Sequence, residues 1–373
     1  VITITVNQTI IKVEGTKQEV LDLVTNAPVP YEGFEQWQGF ATLRTTPANL
    51  IHLYVNASGA TWVDPSGQLV EARAMMAIQA QNRPKPGDYE RNWPFKVVPK
   101  PFQLDIFAAA RHMKKIALTP VATGTGKSKM GIDIAADKFM RNEIDGVAII
   151  APNGVQSQWI KRAVPEHMTS AIERYLHVWG PNRKTPPHMV YPAQVNRKIR
   201  IMAFNVEAFS SESGKAFRAM REFLQSGRIM LIIDESSRIK SPKAMRTKAI
   251  WKLTPYAAVV CTMSGTPITR GLEDLFAQYY ALDPAIIGST NYYSFRNRYC
   301  MTVPAFFGAA PGQIKITGYR NVEEFIGKIA PFTFVVPKDV LGLPEKTYEQ
   351  REVEMTPEQK RLYKALVNDL VAD

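Results

Sequence analysis

From about residue 100 onward, apolar positions cluster in short, β-branched runs separated by longer segments of mixed polarity. Gly146-Val-Ala-Ile-Ile-Ala151, Ile199-Arg-Ile-Met-Ala203, Ile229-Met-Leu-Ile-Ile233 and Ala257-Ala-Val-Val-Cys-Thr262 are such runs, and Lys115-Ile-Ala-Leu-Thr-Pro120 precedes them. Short, nearly continuous apolar stretches predict strands buried on both faces of a parallel sheet. The helical segments between them predict an α/β, doubly wound arrangement. The first part of the chain follows another pattern. Residues Ile2 to Val13 alternate well enough for one or two strands, broken near Asn7-Gln8. Thr16 to Val24 reads as a short helix, with Thr16 as its cap and Glu19 three residues on. A strand over Leu50–Val55, a turn at Asp64-Pro-Ser-Gly67 and a helix near Val70–Gln81 follow. Residues 1–82 therefore predict a small α+β accessory domain, and the proline-rich stretch from Asn82 to Asp88 opens a linker over 83–98. The main lobe is expected over 99–345, with 346–373 leading away from it. There is no internal repeat.

One segment in this pattern carries chemistry. Val121-Ala-Thr-Gly-Thr-Gly-Lys127-Ser128 lies between the first apolar run and Met130-Gly-Ile-Asp-Ile-Ala-Ala136, which reads as a helix. Gly124 and Gly126 let the backbone wrap a phosphate with its N–H groups, and Thr123 and Thr125 complete the loop. Lys127 offers a point charge to the terminal phosphates, Ser128 a hydroxyl to magnesium, and the helix start a favourable dipole. The competing reading is a glycine turn without function. Gly-x-Gly-Lys-Ser between a strand and a helix rarely arises by chance. Val121 stands where a strict phosphate-binding loop has its first glycine, which points away from GTPases and kinases and towards helicase-like loops.

Charge sharpens the picture. The chain of 373 residues has 46 Lys+Arg against 34 Asp+Glu, a net charge of +12. Residues 1–95 hold 7 basic and 9 acidic side chains, so residues 96–373 carry a net +14. The basic excess travels with the phosphate-binding loop, and a polyanion such as nucleic acid is the natural partner. Solubility alone is the competing explanation. The two cysteines, Cys261 and Cys300, have no His or Cys clustered near them and suggest neither a disulfide framework nor a zinc site. No apolar run reaches the length of a membrane span and no signal-peptide pattern opens the chain. A cytoplasmic protein, bacterial or viral in a host, is expected, with a nuclear one as the alternative, as are a monomer and no membrane partner.

Two further segments join the loop. Ile232-Ile233-Asp234-Glu235 closes a buried run with two carboxylates. Asp234 can hold magnesium, and Glu235 can orient and activate the attacking water; paired acids at a helix start are the alternative. The basic run Ser236-Ser-Arg238-Ile-Lys240-Ser-Pro-Lys243 follows, read either as a phosphate-contacting edge or as a solvated face. Thr262-Met-Ser264-Gly265-Thr266-Pro267 ends another apolar run, and its small hydroxyl residues can hydrogen-bond the acids and report on the γ-phosphate.

Taken together, these segments resemble the Swi/Snf-related translocases of helicase superfamily 2, from about residue 98 to 373. Pro101-Phe-Gln103-Leu-Asp-Ile-Phe107 looks like the family's entry motif, whose glutamine reads adenine, a role the resemblance gives to Gln103. Gly124, Thr125, Gly126, Lys127 and Ser128 match motif I, and Ile149 to Trp159 is similar to motif Ia, beside the tracked DNA strand. Met202 to Glu207 looks like the next strand-end motif. Asp234-Glu235 with Arg238 and Lys240 resembles motif II. Ser264-Gly265-Thr266-Pro-Ile268 with Glu273-Asp-Leu-Phe276 and Leu282-Asp-Pro284 looks like motif III and its helix. Lys338-Asp-Val-Leu, Leu343-Pro-Glu-Lys346 and Met355-Thr-Pro-Glu-Gln359 resemble the passage to a second motor lobe.

The resemblance implies a RecA-like, P-loop NTPase lobe that binds ATP and Mg, and a motor that tracks duplex or branched DNA. Lys161, Arg162, Arg238 and Lys240 are then the candidate phosphate contacts. Two departures qualify it. Ser237 replaces the histidine usual at the fourth place of motif II, so the link from there to motif III is expected to differ. Nothing after Tyr363 resembles motifs IV, V or VI, and the family's arginine finger lies on that second RecA-like lobe; such fingers are worth roughly 10³–10⁵ in rate. The chain alone is therefore expected to bind ATP weakly and hydrolyse it poorly. An RNA helicase of the DEAD-box kind would end its motif II in Ala-Asp. The motor subunit of a restriction enzyme fits more closely, and an ATP-binding, DNA-binding scaffold without turnover would have no need of Lys127, Asp234 and Glu235 together.

Overall fold

The runs that the sequence marks as doubly buried become neighbours in one sheet. The computed structural model describes residues 3–6, 10–14, 20, 40–44, 61–63, 86–121, 124–191, 197–269, 271–289, 291–304, 314–336 and 355–371. The expected strand over 50–55, the helix over 70–81, all but Val20 of the helix over 16–24, and Thr123 lie outside these residues. Near the start, β1 (Thr3–Val6) and β2 (Ile10–Glu14) pair antiparallel, Ile4 opposite Val13. The expected break near Asn7-Gln8 falls between these two strands, outside the described residues. With β3 (Phe40–Arg44) and β4 (Thr61–Val63) they form a four-stranded sheet of order β3-β2-β1-β4.

The main sheet has seven strands. They are β5 (Lys115–Val121), β6 (Gly146–Ala151), β7 (Arg174–Val178), β8 (Ile199–Asn205), β9 (Ile229–Ile233), β10 (Val259–Met263) and β13 (Thr333–Val336). Their order is β13-β5-β10-β9-β6-β8-β7, and every adjacent pair is parallel. Between β10 and β13 the chain makes a separate antiparallel hairpin, β11 (Cys300–Pro304) with β12 (Ile314–Tyr319).

Successive residues of a strand face opposite sides, and here both sides are covered. Leu118, Ile149, Ile232 and Cys261 point into a core completed by Phe107 and Met130. Ile150, Leu231 and Ile233 enter another, filled by Phe217, Met220 and Leu224. Ala117 and Val260 meet a third, made with Phe276, Phe295 and Phe325. This is why the strands read as continuous apolar runs and not as alternation.

The covering helices are α1 (Asp88–Asn92), α2 (Pro101–Ala110), α3 (Lys127–Met140), α5 (Lys215–Gln225), α6 (Met245–Leu253), α7 (Asp274–Leu282), α8 (Tyr292–Tyr299) and α9 (Val322–Ile329). Before α5 comes α4, which joins Val155–Gln158, a π-helical turn at Trp159–Ala163, and Val164–His167. The helix Pro357–Val371, α10, belongs to a separate unit of the chain.

The described part of the expected linker is not a free tether. It contains α1, and Trp93 is buried against Phe95 and Phe107. A buried charge cluster holds α1 to the far end of α3. The Asp137 carboxylate accepts from the Tyr89 hydroxyl at 2.9 Å, from Arg111 Nε at 3.1 Å and from Arg141 Nε at 2.8 Å. Arg111 also binds Glu90 and stacks 3.8 Å over the Tyr89 ring. Asp137→Ala is expected to cost about 1–3 kcal/mol, because it leaves Arg111 with Glu90 alone and the Tyr89 hydroxyl without its acceptor. Denaturant unfolding measures it, and a loss below about 1 kcal/mol would show the cluster to be solvated.

Candidate functional site

In an all-parallel sheet every strand ends on the same edge, and that edge is where α/β folds place ligands. Each candidate segment follows such an end: the glycine loop after β5, Pro152 after β6, Asp234 after β9 and Ser264 after β10. The β10 strand lies between β5 and β9, so Ser264 separates the glycine loop from the acids. It is buried and pinned by its backbone. The Ser264 N–H donates to Leu118 O at 3.1 Å, and Val121 N–H donates to Ser264 O at 3.0 Å.

The loop itself turns on two left-handed glycines, Gly124 at φ 88° and Gly126 at φ 90°. Only glycine adopts this region without strain. A Cβ at Gly126 would also stand 2.5 Å from the Gln103 amide nitrogen. Gln103, on α2, is buried and fastened at both ends of its amide. Its Nε2 donates to Thr125 O at 2.7 Å and its Oε1 accepts from Lys100 N at 2.9 Å. The amide thus braces the glycine loop from behind and keeps a second N–H and further lone pairs. Gly126 caps α3, whose first two residues are Lys127 and Ser128, and the Lys127 ammonium donates to Val121 O at 3.1 Å. A cleft of about 380 Å³ opens here, lined by Gly124, Gly126, Lys127 and Ser128 on one side and by Trp159, Arg162 and His167 on the other.

The acids occupy the turn after β9. Asp234 is buried, and its N–H donates to Ile150 O at 2.7 Å, tying β9 to the end of β6. Its Oδ1 accepts from Glu235 N at 3.0 Å and its Oδ2 from the Trp159 indole N–H at 2.8 Å. Burial lifts the carboxyl above the usual range. The indole bond opposes that rise, the neighbouring Glu235 adds to it, and the charge of Lys127 lowers it. Glu235 sits at φ 48°, ψ 57°, a left-handed conformation that a non-glycine residue adopts at a cost of order 1–3 kcal/mol. Backbone strain of this kind gathers at working sites, and here it falls at the second carboxylate, two residues past the end of β9. The oxygen donors of Ser128 and Asp234 fit a hard divalent cation such as magnesium.

Ser264 does not use its hydroxyl on the acids. Its Oγ accepts from Thr266 N–H at 3.2 Å, closing the turn through Gly265. The link between motifs II and III runs elsewhere. Ser236 Oγ donates to Gln278 Oε1 at 2.7 Å, and Gln278 Nε2 donates to Pro267 O at 2.7 Å and Asp274 O at 2.9 Å. Ser236 and Gln278 are both almost inaccessible. A hydroxyl and an amide thus join the turn after β9 to α7, one residue before Ser237. Sequence reasoning missed Gln278; its signal is a single amide within the otherwise apolar Leu275-Phe-Ala-Gln-Tyr-Tyr-Ala-Leu282.

The four basic candidates divide. Lys161 and Arg162 are exposed on the π-helical turn of α4, Arg162 beside Glu166 at 2.9 Å. Arg238 is exposed. Lys240 is only partly so: its ammonium meets the Thr269 hydroxyl and lies 3.5 Å from Asp274, binding the end of motif II to α7.

Denaturation of Ser236→Ala, Gln278→Leu and the double variant should reveal a coupling of about 0.5–3 kcal/mol between the two side chains. Full additivity would mean that the buried bond contributes nothing.

Comparison with known proteins identifies a family for the chain as a whole. The chain matches the family model described as the SNF2-related domain over residues 35–372. It is 22% identical over 257 residues to the "SNF2 domain-containing protein ENL1" of Oryza sativa subsp. japonica, covering 66% of this chain and 25% of that protein. To the "Helicase-like transcription factor" of Mus musculus it is 24% identical over 277 residues, 72% of this chain and 24% of that protein. The chain thus spans about a quarter of the length of these relatives. Among solved structures, the Sulfolobus solfataricus SWI2/SNF2 ATPase core in complex with dsDNA aligns with a TM-score of 0.49 at 22% identity, over 75% of this chain and 54% of that one. Matched over most of its length by that family model, the chain belongs to the SNF2-related domain family.

Proposed function

We propose that the chain is the first, ATP-binding lobe of an ATP-driven translocase acting on duplex or branched DNA. The observation that carries this reading is the convergence of the glycine loop, Lys127, Asp234 and Glu235 on one sheet edge, in a chain of this family. In this reading the loop N–H groups and Lys127 hold the terminal phosphates. Gln103 lies against the adenine while bracing Thr125. Ser128 and Asp234 hold magnesium, which neutralises charge on the phosphates when bound. Glu235 orients and deprotonates the attacking water. Residues 1–82 act as an accessory domain that selects the substrate, 83–98 join it to the lobe over 99–345, and 346–373 lead to a second RecA-like lobe in the longer protein. That lobe closes on the nucleotide and supplies its arginine.

DNA is gripped through phosphates by Lys161, Arg162 and Arg238, which makes the affinity fall steeply with salt. A relative from Homo sapiens that is named a "DNA annealing helicase and endonuclease" supports a DNA substrate. Steady-state ATPase of the full-length protein tests the reading, without nucleic acid and with duplex, single-stranded or forked DNA, or RNA. Duplex or forked DNA should stimulate turnover. Glu235→Gln should lower kcat by about 10²–10⁴ while ATP still binds, and Lys127→Ala should weaken binding itself. Stimulation by RNA alone would turn the reading to an RNA helicase, and nucleotide binding without turnover to a scaffold.

A further inference from the structure

Trp159 joins two parts of the lobe that the functional reading keeps apart. Its indole is 2% exposed, and its N–H donates at 2.8 Å to Asp234, a residue 75 positions along the chain. A buried indole N–H usually takes a partner, though that of Trp93 takes none among the described residues, and an apolar core provides many backbone carbonyls for the purpose. The Trp159 N–H takes the carboxylate proposed to hold magnesium. Trp159 is also the first residue of the π-helical turn Trp159–Ala163, which carries Lys161 and Arg162. Arg162 is 78% exposed. One turn of helix therefore presents an inward indole to Asp234 and two exposed cations, Lys161 and, at the rim of the glycine-loop cleft beside Glu166, Arg162. π turns are rare, and those that occur are frequently at functional sites. Here the alternative is concrete: with regular α-helical winding, the indole and the two cations would be rotated relative to one another.

We infer that Trp159 is a positioning residue through which phosphates bound at Lys161 and Arg162 act on Asp234. A shift of the π turn towards a DNA backbone moves the indole, and with it the Oδ2 atom of the carboxylate. The other oxygen stays fixed to the Glu235 N–H, so the carboxylate pivots and does not translate. DNA engagement thereby sets the orientation of a magnesium ligand before any nucleotide chemistry. This inference rests on the proposed DNA-binding and ATP-binding roles.

The test uses the indole itself as reporter. In 15N-labelled protein, the Trp159 Nε1–H resonance should shift when a short duplex is added without nucleotide. Lys161→Ala with Arg162→Ala should abolish the shift. Trp159→Phe keeps most of the ring and loses the donor. It should raise the magnesium concentration needed for half-maximal ATP binding by about 10–100-fold, the usual effect of removing a partner that orients a metal ligand. It should also lower the ratio of DNA-stimulated to basal turnover. A resonance unmoved while fluorescence anisotropy shows the duplex bound would overturn the inference and leave the proposed function standing. So would an unchanged magnesium dependence in a folded Trp159→Phe chain. Should that variant fail to fold, the resonance experiment on the unaltered chain still decides. If no duplex binds at all, the DNA-binding reading fails and the inference falls with it.

Discussion

The parallel ladder of β5, β10 and β9 is the constraint on which the rest of this lobe depends. It pairs Leu118 with Met263 and Ile233 with Thr262, so that three strand ends finish on one edge within a few residues of each other. A parallel sheet requires a crossover between neighbours and helices on both faces. Those helices supply the machinery: α3 begins at Lys127, α4 brings Trp159, and α7 brings Asp274 and Gln278. The apolar character of the strands is thus the reason that polar groups can be set down so close together at their ends. Among the described residues, the central strands are buried along their length and the polar groups gather at their ends.

At that edge each polar group is held by a neighbour from a different segment. Gln103 holds Thr125, Trp159 holds Asp234, and Gln278 holds Ser236 and Pro267. Each of these bonds is buried, where losing one partner leaves the other unsatisfied at a cost of about 1–3 kcal/mol. Neighbouring segments therefore move together or not at all. The strained φ of Glu235 fits the same logic, since only a tightly braced turn keeps a glutamate in the left-handed region.

Much of this was legible in the sequence. The runs at 146–151, 199–203, 229–233 and 257–262 all became strands, because burial on both faces writes a continuous apolar signal. The edge strand β7 escaped notice, as its Arg-Tyr-Leu-His-Val is half-buried throughout and lacks that signal. The four residues of β13 are too few to mark a period. The glycine loop, Lys127, Asp234 and Glu235 were readable because their chemistry is local in sequence. Trp159 and Gln278 were not, because each acts across a contact that exists only once the strand order is known. The basic run alone also does not show that packing against Thr269 and Asp274 draws one member, Lys240, partly inward.

The central claim is that three strand ends form a single nucleotide site. Amide hydrogen exchange of the chain with and without MgATP tests it most directly. The account requires slowed exchange at residues 124–128, 234–236 and 264–266 together, with Lys127→Ala abolishing all three effects. Protection confined to the glycine loop, with the ends of β9 and β10 unchanged, would contradict it.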